Sequence, residues 1–139
     1  MEEELIKIEE IIGNFDSIEK SDIKELMQKL FSKLGNRLEK FVGDYPTFIE
    51  PVYLEDNVKI GDDVLLGPNV YIGANSEIQD YVEMSNTIIF ENVNIGENFK
   101  LENCVVAKHS SFKFKNLNLK NSVLFGETNS KDELQSKQF

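Results

Sequence analysis

One histidine and the lysine before it are the residues of this chain best suited to acid–base chemistry. His109 is the only histidine, and Lys108 precedes it. Because an imidazole titrates near neutral pH, His109 could take the proton of an attacking hydroxyl or amine, while the Lys108 ammonium could contact an anionic cofactor. No orienting carboxylate lies beside them in sequence, and we favour the interpretation of His109 as a surface histidine at a corner of the fold.

The remaining residue types argue against metal and thiol chemistry. A zinc site with three histidine ligands needs more than the one histidine present, so no metal site is predicted. The single cysteine, Cys104, excludes an internal disulfide and has no histidine beside it in sequence, so we interpret it as a small space-filling residue. A lone cysteine also fits a reducing compartment.

Charge and hydropathy narrow the range of partners. The 139 residues include 15 Lys+Arg and 25 Asp+Glu, and the net charge of −10 repels nucleic-acid backbones and anionic lipid surfaces. The sequence contains no apolar run of membrane-spanning length, and its acidic start, Met1 to Glu4, lacks the basic region of a signal peptide. We therefore expect a cytoplasmic protein that binds neither nucleic acid nor membranes.

The elements that would position these residues divide the chain in two. Residues 1–45 are predicted to form a helical leader, with helices at about 2–13 and 22–42. The second helix has apolar residues at three- and four-residue spacing, namely Ile23, Leu26, Met27, Leu30, Phe31, Leu34, Leu38 and Phe41. Each helix therefore has an apolar face that needs a partner.

After Pro46 the apolar period changes to six residues. The segments LEDNVK, IGDDVL, LGPNVY, IGANSE and IQDYVE each begin with an aliphatic residue, and most carry Val four positions later. The Gly, Asp and Asn residues between them adopt the positive φ angles of sharp corners, so the pattern predicts short strands wound into triangular coils. We predict an all-β domain, a β-helix of about four coils over residues 46–126, followed by a flexible tail over 127–139.

Three later segments repeat this pattern at uneven spacing. SNTIIF, ENCVVA and KNSVLF predict the same side of successive coils, with Asn86, Asn103 and Asn121 stacked at one corner. The interval from the first segment to the second is one residue shorter than the next interval. We assign the missing residue to a tight corner between Phe90 and Ile95.

The stretch around His109 is also out of phase with the repeat. Strict counting would place Lys113 inside the coil. A shift of one residue places Phe112 and Phe114 inside instead, and leaves a long step around His109. We therefore predict a bulged corner at His109.

One side of the predicted coils is apolar on its outer surface as well as inside. The outward residue of each strand on this side is apolar, and along the stack these residues are Tyr53, Tyr71, Ile89, Val106 and Leu124. A sheet that is apolar on both surfaces is normally covered. We expect either the helix at 22–42 or another subunit to cover this packing surface.

The repeats resemble the hexapeptide-repeat, left-handed β-helix family over residues 48–125. Within it, VYLEDNVKIGDDVLLGPNVYIG and the later Asn-Thr/Cys/Ser-Val/Ile motif are most similar to the C-terminal domain of sugar nucleotidylyltransferases, such as mannose-1-phosphate guanylyltransferases and sugar-1-phosphate thymidylyltransferase-like proteins. The resemblance implies left-handed winding. The catalytic domain of those enzymes, with its glycine-rich signature ending in Thr-Arg, has no counterpart in this sequence.

The resemblance implies a non-catalytic module for oligomerisation or regulation. The expected partners are further copies of the chain, in a trimer or dimer, and a catalytic partner subunit, with no cofactor. The alternative is a hexapeptide-repeat acyltransferase that uses acyl-coenzyme A on a sugar or nucleotide-sugar. In that case the resemblance makes His109 the general base and Lys108 a binding residue, and the question of enzyme activity stays open.

Overall fold

The apolar spacing of the leader produces two packed helices. The computed structural model describes residues 1–14 and 20–139, and its helices are α1 (Glu2–Ile12) and α2 (Lys20–Lys33). The apolar faces of α1 and α2 pack against each other and share one buried cluster with the outer surface of the β-helix. The leader is therefore part of the folded domain.

The second helix is shorter than the predicted 22–42. It ends at Lys33, and the chain then runs extended beside the first strands of the β-helix. The prediction failed because Leu38 and Phe41 fit the helical spacing but pack against the end of the β-helix core. The β-helix consequently begins before residue 46.

The strands form three sheets, one on each side of a triangular coil. Sheet A contains β3 (Val52–Leu54), β6 (Val70–Ile72), β9 (Thr87–Ile89), β12 (Val105–Val106), β15 (Ser122–Phe125) and β17 (Gln135–Gln138). Sheet B contains β1 (Phe41–Val42), β4 (Val58–Ile60), β7 (Glu77–Ile78), β10 (Asn94–Ile95), β13 (Ser111–Phe112) and β16 (Glu127–Thr128). Sheet C contains β2 (Thr47–Phe48), β5 (Leu65–Leu66), β8 (Glu83–Ser85), β11 (Phe99–Glu102) and β14 (Leu117–Lys120). The β-helix thus has about five coils, more than predicted, because its first and last strands come from the leader and the tail.

Inward side chains from all three sheets form the core of the β-helix. On β4, Val58 and Ile60 point inward and are buried, while Lys59 between them is exposed. Neighbouring coils pair in parallel, so inward residues of one coil stack on those of the next. Inward residues of different sheets also meet in the core, where Phe99 of sheet C and Phe112 of sheet B stack with ring centroids 6.2 Å apart.

Residues with positive φ turn the chain at the corners. Most of them are asparagines, which tolerate the left-handed conformation better than other residues with a side chain. The predicted stack of Asn86, Asn103 and Asn121 is confirmed, and Asn69 precedes them at the same corner. Asn69 Nδ2 donates to Asn86 Oδ1 at 2.9 Å, and Asn103 Nδ2 donates to Asn121 Oδ1 at 2.7 Å.

The missing residue of the repeat is not between Phe90 and Ile95, as predicted. The pairing registers change at the corner Ser85–Asn86, which has two residues where the preceding coil has Gly67–Asn69. The longer corner uses Gly67 at a φ of 111°, a conformation that disfavours a side chain. The shorter corner turns with Asn86 alone.

The extra residue lies after Phe112 and not at His109. Phe112 is inside the coil as predicted and fully buried, whereas Phe114 is half buried in the corner before Leu117. That corner is one residue longer than its counterpart in the preceding coil. The carbonyl oxygen of Phe114 lies where a side chain on Gly96 would stand, so the glycine makes room for the bulge.

The C-terminal residues form a cap, in contrast to the flexible tail predicted for 127–139. The strand β16 extends sheet B, and β17 pairs antiparallel with β15. Between them Lys131–Glu133 form a 3-10 turn, and Leu134 packs against the core of the β-helix. Phe139 is buried beside the helices. The tail therefore covers the last coil.

Candidate functional site

The outer surface of sheet A is apolar, but three of the five predicted residues do not lie on it. Tyr53 and Tyr71 point outward, as predicted. Ile89, Val106 and Leu124 point inward and belong to the core of the β-helix. After Tyr71 the predicted column is one residue out of register. The repeat loses a residue before β9, at Ser85–Asn86, whereas the prediction put this loss after β9, between Phe90 and Ile95.

Ile88, Val105 and Val123 are the residues that continue the outward column. Pairing places Tyr71 beside Ile88, Ile88 beside Val105, and Val105 beside Val123. All three aliphatic residues are fully buried. The signal was present in the sequence, because aligning the segments on their asparagines, Asn69 with Asn86, gives this register.

The helices of the leader cover this surface of their own chain. Ile8 of α1 and Met27 and Leu30 of α2 share a cluster with Ile88 and Val105. Of the two predicted covers, the leader is therefore the one observed. Its extent differs from the prediction, since α2 ends earlier and α1 takes part.

A buried carboxylate ties the two helices together. Glu4 is 4% exposed, Lys33 Nζ donates to its Oε1, and the Met1 α-amino nitrogen lies 3.1 Å from its Oε2. The hydrogen bond from Lys33 is the main cause that lowers the pKa of Glu4, to about 2. The carboxylate is therefore ionised in the folded protein across the neutral range.

His109 occupies a corner position that asparagines hold in other coils. Its φ of 63° is close to those of Asn75 (62°) and Asn92 (56°). Its backbone N–H donates to Glu91 O at 3.0 Å, and its side chain is exposed. A structural role at the corner is sufficient to explain this residue.

Lys108 lies at the edge of a narrow groove beside α1. Its Nζ is 4.0 Å from Glu9 Oε2, and both residues line the groove together with Ile12, Ala107 and Phe125. The groove has a volume of about 230 Å³. Small-molecule pockets are usually larger, about 300–1,000 Å³. The ion pair with Glu9 gives Lys108 a role in seating the helix.

Cys104 is a buried thiol, as the sequence predicted. It is fully buried, and its Sγ lies 3.4 Å from Glu102 O. Burial raises the pKa of Cys104 to about 11, so the thiol remains protonated at neutral pH. Cys104 fills space in the core.

Arg37 fastens the first coil to the second. Its guanidinium donates to Leu54 O at 2.8 Å, pairs with Asp56, and lies over the Tyr53 ring at 5.9 Å from the centroid. The hydrogen bond from Arg37 lowers the pKa of Asp56. These contacts fix the segment that follows α2 on the edge of sheet A.

The N-terminal end of the β-helix is an open section through its core. Leu38, Phe41 and Phe48 point inward from the three sides of the first coil, and each is only half buried. Their counterparts in the next coil are fully buried, namely Leu54, Val58 and Leu66. The difference arises because no further coil covers the first one.

Exposed apolar side chains surround this open section. Val42 is 64% exposed, Tyr45 96% and Ile49 47%. Together with Leu38, Phe41 and Phe48 they make up a surface that we call the first-coil end. The sequence did not predict this surface, because Leu38 and Phe41 were assigned to the helix predicted over 22–42 and not to the first coil.

Two kinds of site are not formed by the residues described. Within residues 1–14 and 20–139, no group of three or more His, Cys, Asp or Glu side chains is placed to hold a metal ion. Neither described helix has the length and apolar run needed to cross a lipid bilayer.

The coils, their asparagine corners and their inward aliphatic residues define a parallel β-helix built from hexapeptide repeats. The chain belongs to the GMPPB C-terminal domain family, whose model matches residues 48–137. This membership confirms the relation to sugar nucleotidylyltransferases, while left-handed winding stays a prediction. Neither curated proteins nor solved structures gave a match to the chain.

Proposed function

We propose that this chain is a non-catalytic cytoplasmic module that associates with other protein subunits and thereby assembles or regulates a sugar nucleotidylyltransferase. The observation that carries the proposal is the first-coil end, where the hydrophobic core is open to solvent. Repeat proteins normally need polar capping elements at both ends to stay soluble. An uncapped end is therefore a surface suited to binding another protein.

Family membership supports the kind of assembly proposed. The matched family is a C-terminal domain of sugar nucleotidylyltransferases, and the match includes nearly the whole β-helix. The buried, reduced Cys104 is consistent with a cytoplasmic location. The positions of His109 and Lys108 support the same conclusion, since the corner and the ion pair with Glu9 explain both residues without catalysis.

The test compares ligand binding with protein binding. Thermal unfolding is measured with acetyl-coenzyme A, nucleotide sugars and sugar phosphates, and sedimentation is measured with and without a full-length sugar nucleotidylyltransferase of the same organism. A ligand present at about 100 times its dissociation constant stabilises a protein by about 2.7 kcal/mol, which shifts the melting temperature by several degrees. We expect no such shift, and association in the sedimentation experiment.

The control is the His109→Asn variant. Asparagine keeps the corner conformation that the structure requires and removes the imidazole, so this variant folds normally. Acyl transfer from acetyl-coenzyme A by the wild type, abolished in His109→Asn, would overturn the proposal in favour of an acyltransferase. A chain that binds neither itself nor the nucleotidylyltransferase would also overturn it.

A further inference from the structure

The shape and the strand edges of the first-coil end suit a second copy of the same end. We infer that two chains associate through their first-coil ends about a two-fold axis, so that the two β-helices stack end to end. This inference rests on the proposed association function and specifies its partner and its surface.

Shape is the first reason. Leu38, Phe41 and Phe48 come from the three sides of one triangular coil, so the apolar surface has the outline of a coil. Inside the β-helix, the partner of each coil is another coil of the same outline, and the residues between them are fully buried. Another first coil is therefore the surface that would bury these residues most completely.

The edge strands are the second reason. β2 is the edge strand of sheet C, and the backbone N–H groups of Thr47 and Ile49 donate to Val64 O and Leu66 O in the next coil. The backbone N–H and C=O groups of successive residues in a strand point to opposite sides. Those of Phe48, which lies between Thr47 and Ile49, therefore point away from that coil. A two-fold axis beside Phe48 would pair β2 with its copy in antiparallel orientation.

Antiparallel pairing at an edge already occurs once in this chain. At the other end of the β-helix, β17 lies antiparallel to β15, with Ser136 opposite Leu124. There the chain's own tail covers the edge and places Leu134 against the core. The first-coil end has the same kind of edge, and in the proposed dimer the second copy takes the role of the tail.

The size of the surface sets the expected strength. The first-coil end has six apolar residues, whereas a standard interface has about 20–30 residues on each side, and such small interfaces are generally weak. We therefore expect a dimer whose dissociation constant lies in the micromolar range or above. Measurements need protein concentrations up to about 1 mM to detect it.

The experiment uses opposite charges at Ile49, which neighbours Phe48 and is exposed, so that folding is not disturbed. Sedimentation equilibrium is measured for the wild type, for Ile49→Glu, for Ile49→Lys and for an equimolar mixture of the two variants. Each variant alone should raise the dissociation constant at least about tenfold, because like charges meet across the axis. The mixture should restore association. The matched control is Ile6→Lys on the exposed face of α1, which should have no effect.

Each other outcome overturns the inference in a recognisable way. A wild-type monomer at about 1 mM overturns it outright. A dimer insensitive to both Ile49 variants, or a trimer, refutes this surface but leaves the proposed association function standing. A wild-type monomer that binds the nucleotidylyltransferase, with binding lost in Ile49→Lys, assigns the first-coil end to that enzyme and also leaves the proposed function standing.

Discussion

Asn86 turns the chain with a φ of 47°, in the left-handed region that costs most residues with a side chain about 1–2 kcal/mol. Asparagine reduces this cost because its short amide can bond locally, and here it also accepts a hydrogen bond from Asn69. The repeated asparagines are thus explained by backbone conformation. No ligand needs to be invoked for them.

Substitution of Asn86 tests this explanation. Asn86→Ala should lower the free energy of unfolding by about 1–3 kcal/mol, from backbone strain and the lost amide bond, whereas Asn86→Gly should lose less. At the strand residue Lys100 the order should reverse, because glycine is less favourable than alanine in a strand. Urea unfolding of the four variants measures both differences. The same order at both positions would contradict the role assigned to the corner.

The lowered pKa of Glu4 leads to a second prediction, on how the stability of the protein depends on pH. Its pKa is about 2 in the folded protein against an ordinary value of 4.5, so its contribution to stability is full above about pH 5. The contribution is lost as the pH falls from there through about 2. Urea unfolding between pH 2 and 7 should show a weaker acid dependence in Glu4→Gln than in the wild type. The exposed Glu2→Gln is the control and should follow the wild type.

The helices α1 and α2 pack on the outer surface of sheet A, and the core of the β-helix packs on its inner surface. Ile88 contacts the helices and Ile89 contacts the core, although the two are adjacent and both fully buried. Substitution of Ile88 should therefore disturb the packing of the helices, and substitution of Ile89 should disturb the core of the β-helix.

Lysine at these two positions separates the elements. Burying an unpaired charge costs several kcal/mol. In Ile88→Lys we expect the helices to detach, so that proteases cut within residues 1–34 at least about tenfold faster while the β-helix stays folded. Ile89→Lys should instead unfold the β-helix. Limited proteolysis with mass analysis of the fragments measures this, and identical patterns for the two variants would refute the assignment of faces.

The architecture of the whole molecule could be predicted from sequence, but its ends could not, and its register could be predicted only from the asparagines. The six-residue period and the corner asparagines are local signals, because each corner needs a positive φ wherever it lies. The register changed at Ser85–Asn86, where a single lost residue moves the side chains of the next strand, β9, to the opposite face. Aliphatic residues stand on both sides of that step, as Ile88 and Ile89 do, so hydrophobicity alone could not reveal it.

The ends of the molecule depend on contacts that no local pattern encodes. Leu38 and Phe41 keep helical spacing but belong to the first coil, because the chain stops being helical after Lys33. Leu134 and Phe139 are isolated apolar residues in a polar tail, and their burial depends on the last coil being there to receive them. The first-coil end was missed for the same reason.

The direction of β17 limits how far these molecules can assemble. It is antiparallel to β15 and occupies the outer edge of sheet A at the last coil. Identical β-helices could otherwise form a filament of unlimited length, with the first coil of one molecule stacked on the last coil of the next. Because β17 occupies this edge of sheet A, such growth is blocked there, and the association through first-coil ends proposed above would stop at two molecules.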